Sequence, residues 1–439
     1  MNAVRTTAEP YRDLVEQSLE EAAFFWKRWE ADLESLTRSL DEVWSWTEDR
    51  LHGALDGVRV AGEKVVEVTE AALRGKDHAA ITAAAHVLAA QTPARARDAL
   101  AVAVRNSNGA ALRAMGRGIE TAALDGSFAP VTAVLASAGP EHSAALCRIK
   151  RFRRVPPGKE LADALQSGIP GLQADALRSL AHVAEQPIAL RHIAWGLKSA
   201  DGEVRRAAIQ TGIRREDPAA WQAAVQLAEE RNTACAPLLP ALAALGSAEE
   251  QQLVIRALRE PSLQRAGLFA LAYLGTPEAV EICLSGMCDG KLARSAGEAY
   301  CAITGADLVR DGLAAPEPAS ESAEAASPPR LEAEALDADL VPAAADQWPL
   351  PDLDAVRRHW QGMQRQLAQG VRHWRGRPAS PGVLLDALER GPMLRRDDLA
   401  LELAVRTAGK YDLEVRAFAH AQRSMMRSGR TRAGLPAAR

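Results

Sequence analysis

Residues 172–183 read LQADALRSLAHV, and four later stretches repeat that pattern of apolar and small residues. The later stretches are EVRRAAIQTGI (203–213), APLLPALAALG (236–246), LQRAGLFALAYLG (263–275) and LARSAGEAYCAIT (292–304). Their alignment pairs five positions at steps of 32, 33, 29 and 29 residues: Leu177, Ile209, Leu242, Leu271 and Tyr300. A period of roughly 30 to 45 residues, with two helices in each repeat, is typical of an α-solenoid.

The side-chain pattern explains why such units would stack. In the fourth stretch Leu268, Leu271, Ala272 and Leu274 recur at helical spacing, which places an apolar stripe on one face of a helix. A single pair of such helices cannot bury its stripe, whereas a neighbouring pair can cover it. Many members of the stripe are alanine or glycine, so adjacent helices are expected to approach closely.

A turn and a second helix follow three of these stretches. We predict second helices over residues 219–230, 249–259 and 278–287, after turns that contain glycine, proline or aspartate. Thr276 is predicted to cap the last of these helices, with Pro277 at its first position. The sequence therefore predicts an all-α protein, organised as an α-solenoid, which is an α/α superhelix.

Composition agrees with a helical chain. Hydrophobic residues make up 47% of the 439 residues but aromatic residues only 4%, so the apolar share is largely alanine, leucine and valine, which favour helices over sheets. The formal net charge of −4 gives no general reason to expect nucleic-acid binding. No signal peptide or membrane-spanning run is evident, and the five scattered cysteines are typical of reduced thiols. We therefore expect a cytoplasmic protein without membrane association.

Four regions are predicted along the chain. Residues 1–75 form an N-terminal helical cap, and residues 76–305 form the repeat region. Residues 306–346 are rich in alanine, proline, glutamate and serine, with nine acidic residues and one basic residue between 311 and 346. That composition predicts an acidic, disordered linker. Residues 347–439 form a smaller C-terminal helical region.

Two groups of residues are candidates for binding a protein. Trp26 and Trp29 belong to a tryptophan-rich first region, where they either form an aromatic docking surface or belong to a cap that closes the first end of the solenoid with large side chains. Arg205, Arg206, Arg214 and Arg215 bracket one helix and its turn, where they either line a binding ridge or lie on an exposed edge of the repeats. A further basic cluster, Lys150, Arg151, Arg153 and Arg154, either grips an acidic partner or complements a helix end.

Patterns that carry catalysis are not found in the sequence. The stretch GMCDGKL at residues 286–292 is too short between its glycines for a phosphate loop and lacks the serine or threonine after the lysine. Cys283 and Cys288 have no second ligand pair at zinc-site spacing. We therefore predict no catalytic residues, no cofactor and no metal site, and expect a protein that is not an enzyme.

Several stretches resemble a known family. They are EEAAFFW (20–26), LDGVRVAG (55–62), ARSAGEAY (293–300) with ITG (303–305), WPLPD (348–352) with Trp360, and ALELA (400–404). The repeats resemble HEAT repeats. The whole chain is similar to a family of conserved proteobacterial HEAT-like proteins encoded beside type VI secretion genes. The resemblance implies a cytoplasmic accessory, an adaptor or chaperone that binds an effector or a spike-tip component.

Two other functions are alternatives to this one. The same gene neighbourhood is compatible with an immunity protein that neutralises a cognate toxin. A HEAT-like DNA glycosylase is the third alternative, because Trp195 and Trp221 with Arg205 and Arg206 imitate part of a basic, tryptophan-lined cleft. The negative net charge argues against it, since DNA binding depends on neutralising phosphates.

Overall fold

A computed structural model describes residues 9–60, 62, 65–90, 94–122, 129–183, 185–316 and 348–434. Helix accounts for 72% of the structure, so the predicted all-α class is confirmed. In these described ranges the only named strands form one short hairpin. None of the described helices is both long enough and apolar enough to cross a membrane. Residues 317–346, most of the predicted acidic linker, lie outside the described residues.

The helices are numbered in chain order. They are α1 (Glu9–Asp32), α2 (Leu40–Val43), α3 (Asp49–Arg59), α4 (Val65–Leu73), α5 (His78–Ala90), α6 (Ala94–Arg105), α7 (Gly109–Thr121), α8 (Ala129–Leu135), α9 (Pro140–Phe152), α10 (Glu160–Leu165), α11 (Pro170–Ser179), α12 (Gln186–Leu197), α13 (Gly202–Arg214), α14 (Pro218–Glu229), α15 (Leu239–Leu245), α16 (Ala248–Ala257), α17 (Gln264–Leu274), α18 (Pro277–Gly286), α19 (Ala293–Thr304), α20 (Leu353–Met363), α21 (Pro381–Arg390), α22 (Arg396–Arg406) and α23 (Ala419–Ala433). The hairpin strands are β1 (His373–Trp374) and β2 (Arg377–Pro378).

The described residues form two compact units. Unit 1 contains the residues up to Leu33, Arg38–Ala223 and Leu403–Gly434, and unit 2 contains Glu34–Thr37 and Ala224–Glu402. The repeat region predicted for residues 76–305 therefore contributes helices to both units, and so does the C-terminal region predicted for residues 347–439.

Within each unit, helices two apart in the sequence pack side by side. In unit 1, α5 packs on α7, α7 on α9, α9 on α11 and α11 on α13. In unit 2, α15 packs on α17 and α17 on α19, while α16 and α18 pack beside them. The five aligned positions Leu177, Ile209, Leu242, Leu271 and Tyr300 are all completely buried in this series. The apolar stripe that was read from the repeats is thus the surface by which successive helices pack.

Small residues allow the closest of these approaches. A Cβ atom added to Gly118 of α7 would lie 2.3 Å from the carbonyl oxygen of Thr82 and 2.7 Å from the amide nitrogen of His86, both on α5. These are backbone atoms, so a larger residue cannot be accommodated by a side-chain movement alone. The contact between α5 and α7 therefore requires glycine at this position.

We predict that Gly118→Ala lowers the free energy of unfolding by about 1–3 kcal/mol or more, because it forces α5 and α7 apart. Gly116→Ala on the same helix is the matched control, since its Cβ would meet only the Arg148 side chain, at 3.6 Å. That control should be neutral or stabilise by up to about 1 kcal/mol, as alanine is the better helix former. Chemical denaturation of both variants measures the difference, and equal effects would contradict the predicted clash.

A hairpin that the sequence analysis did not predict covers two helix ends in unit 2. Gly275 (φ +59°) ends α17, and its carbonyl oxygen accepts a hydrogen bond from the His373 amide at 2.7 Å. The Arg375 and Gly376 amides donate to the carbonyl oxygens of Ala302 and Ile303 near the end of α19.

The predicted Thr276 cap is confirmed, because its side chain accepts from the Ala279 amide and Pro277 begins α18.

A buried ion pair lies beside this hairpin. Arg395 is completely buried, and its Nε lies 2.6 Å from Oε1 of Glu298 on α19. Its guanidinium also donates to the Phe269 carbonyl oxygen at 3.0 Å and lies 4.1 Å from the centre of the Phe269 ring. Despite burial, which opposes its charge, the Glu298 carboxylate holds the pKa of Arg395 above its usual range. The interior of unit 2 thus contains two opposite charges, and each is stabilised by its pairing with the other.

Candidate functional site

The two tryptophans predicted as binding residues lie in the interior of unit 1. Trp26 and Trp29 are 2% and 0% exposed, and their rings pack edge to face at 5.7 Å. The ring that covers them belongs to Phe418, whose centroid lies 6.0 Å from Trp26 and 4.6 Å from Trp29. Phe418 also contacts His52 of α3 and His86 of α5. The aromatic surface read from the sequence is therefore occupied, and its occupant is a distant part of the same chain.

That occupant is the stretch of residues 411–418 between α22 and α23, which we call the return segment. It has no helix or strand, yet six of its eight residues are buried. Apart from α1, the unit 1 helices are contacted by its residues in reverse chain order. Asp412 contacts the ends of α13, α11 and α9, Arg416 contacts α7 and α1, and Phe418 contacts α5, α3 and α1. The return segment thus passes the carboxyl ends of α13, α11 and α9 and ends against aromatic rings of α1, α3 and α5.

Three basic side chains, at or just beyond the ends of α9, α11 and α13, converge on Asp412. Arg154 follows α9, His182 follows α11, and Arg214 is the last residue of α13. His182 Nδ1 lies 3.0 Å and Arg154 Nε 3.3 Å from Asp412 Oδ2, and Arg214 pairs with Oδ1. Basic residues at helix carboxyl ends complement the helix dipole, and here they also form a binding site for one carboxylate.

The hydrogen bonds fix the protonation of this group. Arg154 Nη1 donates to His182 Nε2 at 3.0 Å, so Nε2 must accept and Nδ1 must carry the hydrogen that faces Asp412. Burial, with the neighbouring Arg154 and Arg214 charges, lowers the pKa of His182 and keeps the ring neutral. Burial alone would raise the pKa of Asp412, but the His182 hydrogen bond and the two arginine charges outweigh it and lower that pKa well below its usual range.

We predict that Asp412→Asn lowers the stability of unit 1 by about 1–4 kcal/mol at neutral pH, the cost of losing a strongly paired carboxylate. The sign of the pH dependence follows from the lowered pKa. The contribution is fully present above the unfolded pKa of about 3.9 and is lost as the pH falls towards the lower folded pKa. The difference between the two proteins should therefore shrink in acid. Denaturation curves across this range measure it. Exposed Asp98→Asn serves as the control and should show little difference at any pH.

Glu414 and Arg416 extend the contacts along the return segment. Glu414 Oε2 accepts from Arg154 Nη1 at 3.1 Å. Arg117 Nη2 donates to the Arg416 carbonyl oxygen at 2.8 Å, and its Nε donates to Glu30 at 2.6 Å. Burial opposes ionisation of Glu30, but the charges of Arg117 and Arg416 lower its pKa overall. The segment is therefore held by its main chain as well as by its side chains.

An open cavity of about 830 Å³ adjoins the return segment in unit 1. Glu414 and Arg416 form part of its wall, and helices α1, α5, α7 and α9 supply the rest. Arg113 on this wall is exposed, and the Nε of Arg151 is buried without a hydrogen-bond partner. The cavity wall therefore carries both guanidinium groups and the carboxylates of Glu30, Glu120 and Glu414.

The four arginines that were predicted to bind a protein have different surroundings in unit 1. Arg205 and Arg206 of α13 are half-buried, and among the described residues no hydrogen bond or ion pair joins either of them to the return segment. Arg214 binds Asp412, whereas Arg215 donates to the carbonyl oxygens of Leu180 and Val183 at the end of α11. Of the four predicted residues, therefore, Arg214 alone is brought to the return segment by these contacts.

The basic cluster at residues 150–154 divides in a similar way. Lys150 pairs with Glu160 at 2.7 Å, and Arg153 donates to the Ile119 and Glu120 carbonyl oxygens at the end of α7. Arg154 instead binds the two carboxylates of the return segment and has a positive φ of 60°. Each interpretation of this cluster therefore fits one of its residues. Arg153 donates hydrogen bonds to a helix end, whereas Arg154 binds acidic residues of the same chain.

Sequence reasoning missed the acidic and aromatic residues of the return segment. Asp412, Glu414 and Phe418 have no repeat pattern, and their partners lie hundreds of residues earlier. The one sequence signal for these residues is that two carboxylates and a phenylalanine occur within seven residues, in a stretch without the apolar stripe of a helix. No family model matches the chain, and no curated protein matches it either.

Proposed function

We propose that this chain is a protein-binding scaffold, not an enzyme, which holds an extended acidic and aromatic segment of a partner protein across the helix ends of unit 1. We also propose that the helices of each unit form an α-solenoid of the HEAT-like class. The packing of α5, α7, α9, α11 and α13 in series supports that architecture, because each helix buries its stripe against the next member of the series.

The return segment carries the binding proposal. It shows the chemistry that this face of unit 1 accepts: a carboxylate at Arg154, His182 and Arg214, a second carboxylate at Arg154, and a phenylalanine ring over Trp26 and Trp29. A partner segment with the same spacing of two acidic residues and an aromatic residue would take its place. Buried aromatic anchors and charge-assisted hydrogen bonds are the contacts that dominate the energy of such interfaces.

A competition experiment tests this proposal on the full-length chain. A labelled peptide that spans residues 408–424 is titrated into the protein, and its anisotropy is measured. The unaltered chain should bind weakly, because its own segment occupies the site at a high effective concentration. A chain carrying Asp412→Ala and Phe418→Ala should bind the added peptide at least about tenfold more tightly.

Matched variants make the result specific. A peptide with both substitutions should not bind either chain, and Asp98→Ala, an exposed change on α6, should leave binding at its original level. Added Arg214→Ala in the chain should weaken binding, since Arg214 would contact the carboxylate of the peptide. If the doubly substituted chain remains folded and still binds no more peptide than the unaltered chain, the proposal is wrong.

We propose a type VI secretion effector or spike-tip component as the physiological partner, and this rests on the family resemblance. Co-expression of the chain with the products of its neighbouring genes should yield a stoichiometric complex with one of them. That complex should be lost when Arg154 and Arg214 are replaced by alanine. A complex that forms only with a toxin, together with sensitivity of cells lacking the gene, would instead favour an immunity protein. A complex unaffected by both substitutions would place the partner elsewhere.

A further inference from the structure

Three potential metal ligands meet where the return segment enters α23. Glu48 immediately precedes α3, His52 lies one helical turn later within it, and His420 lies in the first turn of α23. One ligand atom from each of these three side chains lies within 4.8 Å of the other two. The set combines two imidazoles and one carboxylate, all within unit 1.

Glu48 has the features of an anchored ligand. It is 1% exposed, and each of its oxygens accepts one hydrogen bond, from Trp29 Nε1 at 3.0 Å and from the Ala419 amide at 2.7 Å. Both donors are neutral. Among the described residues, His52 is the only basic side chain that forms an ion pair with Glu48. A buried carboxylate without a lysine or arginine partner is costly, so a cation at this position would be stabilising.

The two histidines can supply the remaining bonds. His52 Nε2 is buried, lacks a hydrogen-bond partner and lies 3.8 Å from Glu48 Oε1. His420 is exposed, so its ring can turn towards the other two ligands. Arg423, the nearby arginine, is already paired with Asp41.

We propose that Glu48, His52 and His420 bind a divalent transition-metal ion of the Zn²⁺ class, and that the bound ion ties α23 to α3 beside Phe418. Two nitrogen ligands favour Zn²⁺ over Mg²⁺ or Ca²⁺, which prefer oxygen ligands. Zn²⁺ bonds of about 2.0–2.1 Å place ligands roughly 3.3 Å apart, so the three side chains close slightly around the ion. Solvent on the His420 side fills the fourth position.

Such an ion would act on the attachment of the return segment. His420 follows Phe418 by two residues, so fixing its ring fixes the end of the segment that covers Trp26 and Trp29. The hydrogen bonds from Trp29 and Ala419 to Glu48 would form an outer shell that orients the carboxylate, as is usual for ligating groups. The site does not depend on a protein partner, so its test is independent of the competition experiment.

Calorimetry on the full-length chain tests the proposal. The protein is prepared without a histidine tag, freed of metal by chelation and titrated with Zn²⁺, and Co²⁺ is added separately to record its visible absorption. We expect one equivalent of Zn²⁺ to bind, and we expect the Co²⁺ spectrum to be typical of nitrogen ligation. Protection of residues 411–420 from hydrogen exchange should rise when Zn²⁺ is present.

Single substitutions locate the ion. His52→Ala and His420→Ala should each weaken Zn²⁺ binding by at least about tenfold and abolish the Co²⁺ spectrum. His192→Ala on α12, a half-buried histidine outside the cluster, should leave both unchanged. Because His420 is exposed, its replacement should keep the fold, and circular dichroism verifies this. If the unaltered chain binds no Zn²⁺, or if the His420 variant binds it as well as the original, the proposal is overturned.

Discussion

Glu298→Gln should lower the free energy of unfolding of unit 2 by about 3–5 kcal/mol, the typical effect of removing one partner of a buried ion pair. Glutamine has nearly the shape of glutamate, so the change removes the charge and leaves the packing. Arg395 then remains completely buried with its charge unpaired, retaining its hydrogen bond to Phe269 and its stacking on that ring. Hydrogen exchange of the α17 and α19 amides measures the effect within the unit concerned.

Glu260→Gln is the matched control. Glu260 also pairs with an arginine of unit 2, Arg231, but their side chains are 34% and 46% exposed. An exposed pair contributes about 0–1 kcal/mol, so this variant should be nearly as stable as the original. Adding Arg395→Met to Glu298→Gln should recover part of the loss, because it removes the stranded charge. A Glu298 variant as stable as the Glu260 variant would show that the buried pair is not needed.

Phe418→Ala should detach the return segment from unit 1. The ring is 2% exposed and contacts the rings of Trp26, Trp29, His52 and His86, and truncating such a side chain costs about 3–5 kcal/mol. The loss falls mainly on the segment, because the helices beneath it also pack on one another. We therefore expect amide protection at residues 411–418 to fall strongly while α9, α11 and α13 retain theirs.

The control for this change is Phe24→Ala. Phe24 lies on α1, two residues before Trp26, but it is 64% exposed and meets only Phe25 among the aromatic contacts of the described residues. Its replacement should change stability by less than about 0.5 kcal/mol and leave the protection of the return segment intact. Equal loss of protection in the two variants would mean that Phe418 does not anchor the segment.

The helical layers were predictable because their information is local. The stripe that contains Leu268 and Leu271 has the spacing of a helix, and both residues are buried. The cap at Thr276 was predictable for the same reason, since cap and helix are adjacent in sequence. The hairpin at residues 373–378 was missed because each of its strands has only two residues, too few to show an alternating pattern. In the structure its turn is formed by Arg375 and Gly376, which both have the positive φ angles that a tight hairpin turn favours.

The candidate site was predictable only in part. Residue type alone singled out Trp26, Trp29 and Arg214, and the return segment contacts all three. Nothing local connects Arg214 with Asp412, which lies 198 residues later, so the occupant of the surface could not be read from the repeats. The possible metal ligands were missed for the same reason: His420 reaches Glu48 and His52 only through the folded arrangement of α23 and α3.

The late position of the return segment has a consequence for biosynthesis. During translation, α1 and α5 leave the ribosome long before residues 411–418 are made, and nascent domains commonly fold from the N-terminal side first. Until Phe418 emerges, Trp26 and Trp29 lack the ring that packs on both of them, and the three basic groups at the ends of α9, α11 and α13 lack their shared carboxylate. We therefore expect the growing polypeptide to bind a holding chaperone. A stop codon placed before residue 411 should cause aggregation.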